Sequence, residues 1–231
     1  MKKQSRGKAF WNKEYKHSTY LALSTTHSQD LERFIKFLIR EEKQIPNQDM
    51  QVFDIGCGNG RNLIYLAKQY GVRGTGIDIS DEAIVQARTQ SENLSLTYSV
   101  KSATKYLPAE DASQDIVLDM MTSHMFNDVE RTTLVQEIYR ILRPGGWLFF
   151  KTFLAEKDRN VARLLHTHGT DEQRTYTHPK SGLTEHVYTT KEIESLLEGH
   201  FEIRRMHKSY GHLHHHKAAK RRSVSVYAQR I

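Results

Sequence analysis

The chain carries one cysteine, four prolines and two tryptophans in 231 residues. With Cys57 alone, an internal disulfide and a multi-cysteine zinc site are excluded, and the composition fits a reducing compartment. Prolines are too sparse to mark a domain boundary, and neither an internal repeat nor a low-complexity linker is present, so one domain is the expectation. No stretch approaches the roughly 20 consecutive apolar residues that span a bilayer. The amino end, MKKQSRGKAFWNKEYK, starts basic but lacks the apolar segment of a signal peptide, which leads to the expectation of a soluble, cytoplasmic protein without membrane association. Acids are also in deficit, 27 against 34 Lys and Arg, for a net charge of +7. That surplus admits an anionic partner and is equally compatible with an ordinary soluble enzyme.

What is present is an alternation. QVFDI (51–55), GTGIDI (74–79), LSLTYSV (94–100), DIVLDMM (115–121) and GWLFFKTF (146–153) read as strands, the fourth and fifth buried on both faces. Helical patterns lie between them. Ser80 is placed to cap DEAIVQARTQ, whose first turn is acidic. Asp128 precedes a helix with Leu134, Ile138, Ile141 and Leu142 on one face, ended by Pro144, Gly145 and Gly146. Strand and helix in strict alternation predict βαβ crossovers and a parallel sheet covered on both sides. Beyond residue 154 the period is lost, and residues 166–188 read as a polar segment. TKEIESLLEG then reads as a helix, and FEIRRMHKSYGHL and RSVSVYAQR as two strands joined by a basic loop, an antiparallel hairpin at the sheet edge.

The densest signal is VFDIGCGNGRN (52–62), with glycines at 56, 58 and 60 between the first strand and the first helix of the alternation. Such a turn sits at the carboxyl edge of an open α/β sheet, where ligands bind. A dinucleotide fingerprint needs G-x-G-x-x-G, but the sixth position from Gly56 is Arg61; a phosphate loop needs Gly-Lys-Ser/Thr, which is absent. Asp78, 24 positions after Asp54, stands where a ribose-binding carboxylate belongs. The pattern points to a ligand with a ribose and no pyrophosphate.

These residues resemble the class I S-adenosylmethionine-dependent methyltransferases. DIGCGNG matches the D/E-x-G-x-G-x-G motif of that family, GIDIS is similar to its ribose motif, LPAEDASQDIVLDM to the segment entering the fourth strand, and EIYRILRPGGWLFF to the helix, turn and strand before the substrate region. The resemblance implies an α/β fold with an open, doubly wound, seven-stranded, mostly parallel sheet and a C-terminal antiparallel hairpin. It implies a single domain: an N-terminal helical cover over 1–45, a cofactor core over 51–153, a substrate-side insertion and helix over 154–199, and the hairpin over 200–231. S-adenosylmethionine is the implied cofactor. Asp54 and the Gly56, Gly58 and Gly60 turn would hold its methionine end, Asp78 its ribose hydroxyls, and Ile79, Ser102 and Ala103 its adenine, with Cys57 and Met120 as further cofactor contacts. Ser102 stands where many relatives carry an acid. Arg61, a cation at a helix start, either faces the cofactor carboxylate or lies in solvent. Tyr15, with Trp11 and Tyr20, lies in the segment that covers the cofactor in similar enzymes; the other reading is three core aromatics.

For the acceptor, His124 just past LDMMTS is placed at the end of the fourth strand, and His178, Glu185 and His186 lie in the polar segment, either as a lid or as plain surface. A closer resemblance is to the tellurite-resistance methyltransferases. It rests on DIGCGNGRNLIYLA and on GHLH ending at His214, with Arg222 eight positions on; His215 stands where that family has arginine. It implies His214 and Arg222 at the acceptor, beside His124, and a small, soft or anionic nucleophile. RNA or protein acceptors, suggested by the basic tract around 217–222, and a non-catalytic module that only binds the cofactor are the alternatives. His212, His214 and His216 alternate, but no carboxylate or cysteine joins them, and no metal site is expected.

Overall fold

A computed structural model describes residues 2–21, 23–209, 213–214, 217–218 and 221–231. Two helices, α1 (Lys2–His17) and α2 (Gln29–Arg40), precede the alternating part. That part runs β1 (Gln51–Ile55), α3 (Arg61–Tyr70), β2 (Arg73–Asp78), α4 (Asp81–Gln90), β3 (Leu96–Val100), β4 (Gln114–Met120), a 3₁₀ turn (Ser123–Met125), α5 (Asp128–Ile141) and β5 (Leu142–Phe153). Then come α6 (Arg159–His168), β6 (Thr175–Thr177), β7 (Thr184–His186), α7 (Thr190–Leu197), β8 (Phe201–Ser209), the short β9 (Leu213–His214) and β10 (Lys217–Ala218), and β11 (Ser223–Arg230).

Seven strands form the main sheet in the order β3-β2-β1-β4-β5-β11-β8. The first five are mutually parallel, and β11 runs antiparallel between β5 and β8. Alternating residues along each strand feed two separate cores, as the pleat requires. Val52, Ile116, Leu118, Trp147, Phe149 and Tyr227 face α2, α3 and α4. Phe53, Ile55, Val117, Leu148, Phe150 and Val226 face α5 and α7. On the first face Phe34 and Phe37 of α2 pack against Trp147 with ring centroids 6.2 and 5.6 Å away, which anchors α2 on the middle of β5. The sheet, its mixed sense and the closing antiparallel pair agree with the sequence reading.

Three local expectations need correction. The cap of α5 is Asn127, whose side chain accepts from the Glu130 N–H while the Glu130 carboxylate accepts from the Asn127 N–H; Asp128 is the first helical residue. That helix ends at Ile141, so Leu142 belongs to β5, and Pro144 to Gly146 form an irregular start of the strand where the register with β4 shifts between Gln114 and Ile116. Finally, residues 166–188 are not surface loop. They contain the end of α6 and the β6–β7 hairpin, in which Tyr176, Glu185, His186 and Tyr188 are buried. The inward polar groups pair with one another: Thr175 Oγ1 with His186 Nδ1 at 2.9 Å, His186 Nε2 with Glu192 at 2.8 Å, and the Tyr176 hydroxyl onto Glu185 at 2.8 Å.

The capping assignment is testable. Asn127→Ala should lower unfolding free energy by about 1 kcal/mol, whereas Asp128→Ala, at a mostly exposed side chain, should change it by no more than a few tenths. Urea titration of both variants measures the difference.

Candidate active site

The carboxyl ends of β1, β2, β4 and β5 open onto one cleft of about 320 Å³, at the lower end of the roughly 300–1,000 Å³ of small-molecule sites. The turn after β1 makes its floor. Gly56 and Gly58 hold φ of +67° and +55°, in the left-handed region, and each has a side chain packed where a Cβ would stand. At Gly56 that neighbour is Thr122, whose hydroxyl donates to the Ile55 carbonyl at 2.9 Å and so fastens the end of β4 to that of β1. At Gly58 it is the Tyr15 hydroxyl, brought in by α1. Any other residue at either position would combine a disfavoured backbone with a collision.

Asp78 fixes this turn to the next. Its carboxylate accepts from the Gly58 N–H at 3.0 Å and the Ser80 N–H at 2.8 Å, and it lines the cleft with Ile79. Burial raises its pKa, against the pull of those bonds. Asp54 is 1% exposed, and its Oδ2 has no hydrogen-bond partner among the described residues. Burial, followed by the charge of Asp78, pushes it up to about 8. Burial likewise holds the Cys57 thiol well above its usual range. A buried carboxyl oxygen without a donor among the described residues, on a group that lines the cleft, fits a cationic ligand group.

The N-terminal helices close the cleft through polar bonds. Asn12 of α1 accepts from the Ser80 hydroxyl at 2.7 Å, and Gln86 of α4 donates to the Tyr15 carbonyl at 2.6 Å. The segment after α1 is tied to the start of α3 three times: Asn59 to the Ser24 carbonyl (3.2 Å), Arg61 to the Thr26 carbonyl (2.7 Å), and the Ser28 N–H to Asn62 (3.0 Å). Arg61 therefore both lines the cleft and holds its cover. On the far side lie Met120, Met121, Thr122, Met125 and Phe126, together with Lys151 from β5. Met121 carries a φ of +67°, a conformation uncommon for a methionine.

Of the residues expected from sequence, Tyr15, Asp54, Gly56, Cys57, Gly58, Arg61, Asp78, Ile79, Ala103 and Met120 line this cleft, as does Trp11. Gly60 stands behind it as the cap of α3, against Tyr98. Ser102 also stands outside, its hydroxyl 3.0 Å from that of Thr104. Tyr20 is 43% exposed and packs edgewise on Phe10 rather than in the cleft.

The acceptor assignments fare differently. His124 is buried at 2% exposure behind the lining residues, edge-on to Phe153 at 5.1 Å, with neither ring nitrogen partnered among the described residues; burial lowers its pKa to about 4. Arg222 stands away from the cleft, its N–H on Asp158 at 2.8 Å and its guanidinium on the Glu156 carbonyl at 3.0 Å. The side chain of His214, and His212, His215 and His216, lie outside the described residues. Among the described residues there is no cluster of three or more His, Cys, Asp or Glu able to hold a metal, and no helix is long and apolar enough to cross a membrane. Lys151, Asn62 and the Met121–Phe126 wall escaped the sequence reading. Their one visible signal was a lysine inside the apolar strand GWLFFKTF.

The burial of Asp54 has a pH signature. Its folded pKa lies above the unfolded value, so the stability that its protonated form supports is complete below about pH 4 and is lost as pH rises through about 8. Asp54→Asn, which mimics the protonated acid, should leave the melting temperature unchanged near pH 4 and raise it by several degrees near pH 9, where a chain of this size gains roughly 2–4 °C per kcal/mol. Thermal melts of both proteins at the two pH values, without added ligand, decide it.

Residues 52–146 match the family model described as a methyltransferase domain. The chain is similar to the fatty-acid O-methyltransferase of Mycolicibacterium smegmatis, 27% identical over 143 residues, covering 61% of this chain and 51% of that protein. It is also similar to the ubiquinone biosynthesis O-methyltransferase of Thiobacillus denitrificans, 33% identical over 116 residues, covering 48% and 47% of the two. The chain thus spans about half the length of the curated relatives it matches. Among solved structures, an S-adenosylmethionine-dependent methyltransferase from Methanosarcina mazei superposes with a TM-score of 0.68 at 27% identity, over 80% of this chain and 94% of that one. The glycine turn, Asp78 and the unpartnered Oδ2 of Asp54 suit a ligand with a ribose and an ammonium group, which S-adenosylmethionine has. With the sheet order and these likenesses on one chain, residues 52–146 are similar to the methyltransferase domains that use S-adenosylmethionine.

Proposed function

We propose that this protein transfers the methyl group of S-adenosylmethionine to a small molecule with an apolar body. The observation that carries the proposal is the continuity of one modest cleft, from the ribose acid Asp78 to the Met121, Met125 and Phe126 wall, beneath a cover of α1 and its following segment. The cofactor supplies an electrophilic methyl on a sulfonium, and the protein's task is to align a lone pair with it and keep water out. In this reading Asp78 takes the ribose hydroxyls, and Asp54 with the Gly56–Gly58 turn holds the methionine end. Ile79 and Ala103 flank the adenine, and Trp11 and Tyr15 close the top. Met120 and Asn62, whose amide lies 3.3 Å from the Met120 sulfur, mark the passage to the acceptor side.

The acceptor wall is built from thioether, aromatic and hydroxyl groups, which suits an adaptable apolar contact. The two curated relatives named above are O-methyltransferases by name, one for fatty acids and one in ubiquinone biosynthesis. A small soft or oxyanionic nucleophile, which the tellurite-resistance resemblance implies, also fits the cleft by size; Arg222, standing outside the cleft, has no part in this reading.

Asp78→Ala should weaken S-adenosylmethionine binding by about 1.5–3 kcal/mol, since two hydroxyls lose a charged acceptor; titration calorimetry measures it, and unchanged affinity would move the ribose elsewhere. For the activity, release of S-adenosylhomocysteine should be followed with a fatty acid, a phenol, a thiol, an amine and tellurite. Turnover with one of these is the expected outcome. Methyl label appearing only in RNA or protein fractions of a cell extract would reject the small-molecule acceptor.

A further inference from the structure

Resting on the methyl-transfer reading, we infer that Lys151 is the residue that holds the acceptor, and that the acceptor presents it with an ionised oxygen, a carboxylate or a phenolate. Along β5 the residues on the α2 side are Trp147, Phe149 and Lys151, by strict alternation. The first two are 2% and 0% exposed and pack on Phe34 and Phe37. A lysine breaks this apolar row at the point where it meets the cleft. Packing alone would favour another apolar side chain there, because the ammonium must be drawn largely out of water. Its side chain is only 17% exposed, and the charge is met by Asp30 from the first turn of α2. Asp30 takes one of the three N–H donors on the ammonium, and Lys151 is also one of the residues lining the cleft.

Sheet order places that ammonium on the acceptor side. Asp78 ends β2, and β5 lies three strands away in the sequence β2-β1-β4-β5, about 14 Å at roughly 4.8 Å per strand spacing. The ribose end of the cofactor belongs over β2 and the methionine end over β1, so β5 stands beyond both. Next to Lys151, Met120 is its partner across the β4–β5 ladder, and Met121 donates its N–H to the Lys151 carbonyl at 2.8 Å. The strained turn at Met121 is thus fastened to the backbone of the same lysine. An oxygen held by this ammonium has Met121, Met125 and Phe126 beside it for the apolar remainder of the molecule.

The chemistry balances without a base. The ionised oxygen gives a lone pair to the methyl carbon, the carbon–sulfur bond breaks with its electrons kept by sulfur, and the products are a methyl ester or ether and S-adenosylhomocysteine. No proton moves, and Lys151 remains an ammonium throughout. Asp30 acts as a positioning residue, through Lys151.

The test uses octanoate and its neutral isostere octanamide as probes on the full chain saturated with S-adenosylhomocysteine, read by titration calorimetry. Octanoate should bind at least tenfold more tightly than octanamide. Lys151→Met should abolish that preference, Lys151→Arg should retain it, and all variants should keep the S-adenosylmethionine dissociation constant within twofold. Since Lys151→Met removes one cation from Asp30 and leaves Arg33, the double variant Lys151→Met/Asp30→Asn should be measured beside it and should behave alike. Equal binding of the two probes to the parent, no binding of either, or loss of S-adenosylmethionine affinity in the folded Lys151 variants would each overturn the inference. A Lys151-dependent octanoate site in a protein that releases no S-adenosylhomocysteine with any acceptor would instead sink the activity and leave the site standing.

Discussion

A single carboxylate holds the ligand-binding edge of this protein together. Asp78 ends β2 and accepts the backbone N–H groups of Gly58 and Ser80, so the turn leading into α3 and the turn leading into α4 cannot move independently. Everything above depends on that lock. Gly58 sets how closely Tyr15 can approach, Ser80 presents the hydroxyl on which Asn12 docks, and both contacts belong to α1. The buried charge is costly, as its raised pKa records, and the two N–H donors offset part of that cost. A side chain of the same size without the charge would keep the packing and lose the joint between the two turns.

The alternating part of the chain was legible because local pattern and tertiary demand coincide there. QVFDI is β1 residue for residue, and Ser80 caps α4 by accepting from the Ala83 N–H as its position suggested. At α5 two neighbouring residues, Asn127 and Asp128, both have capping side chains, and the choice turned on the reciprocal partner three residues further on: Glu130 completes the box only for Asn127. The segment 166–188 was illegible for a different reason. Its inward residues are glutamate, histidine, threonine and tyrosine, which read as surface until they are seen to satisfy one another. No one-dimensional period encodes a hydrogen bond between Thr175 and His186. Arg221, which pairs with Glu185 and lies over the Phe153 ring, joins the same buried group from a distant part of the chain.

In the candidate site the glycines, Asp54 and Asp78 were readable because a backbone turn and a carboxylate at fixed spacing are local features. The far side of the cleft was not, because it is assembled from the ends of β4 and β5 and the start of α2, and its lysine is explained only by which face of β5 it occupies. The expectation placed on Arg222 came from the resemblance of the final hairpin to the tellurite-resistance methyltransferases; its neighbour in the chain, Arg221, is the one whose guanidinium reaches the buried polar group.

The two tryptophans are unequally placed, and this divides the protein's fluorescence between two events. Trp147 sits at 2% exposure among Phe34 and Phe37, with its indole N–H on Gln44 at 2.7 Å, so its emission follows the integrity of the core under α2. Trp11 lies on the roof of the cleft beside Tyr15, where a ligand entering the cleft would change its surroundings. Each can be replaced by phenylalanine without touching the other, giving one chain that signals occupancy and one that signals unfolding, with no label attached to either.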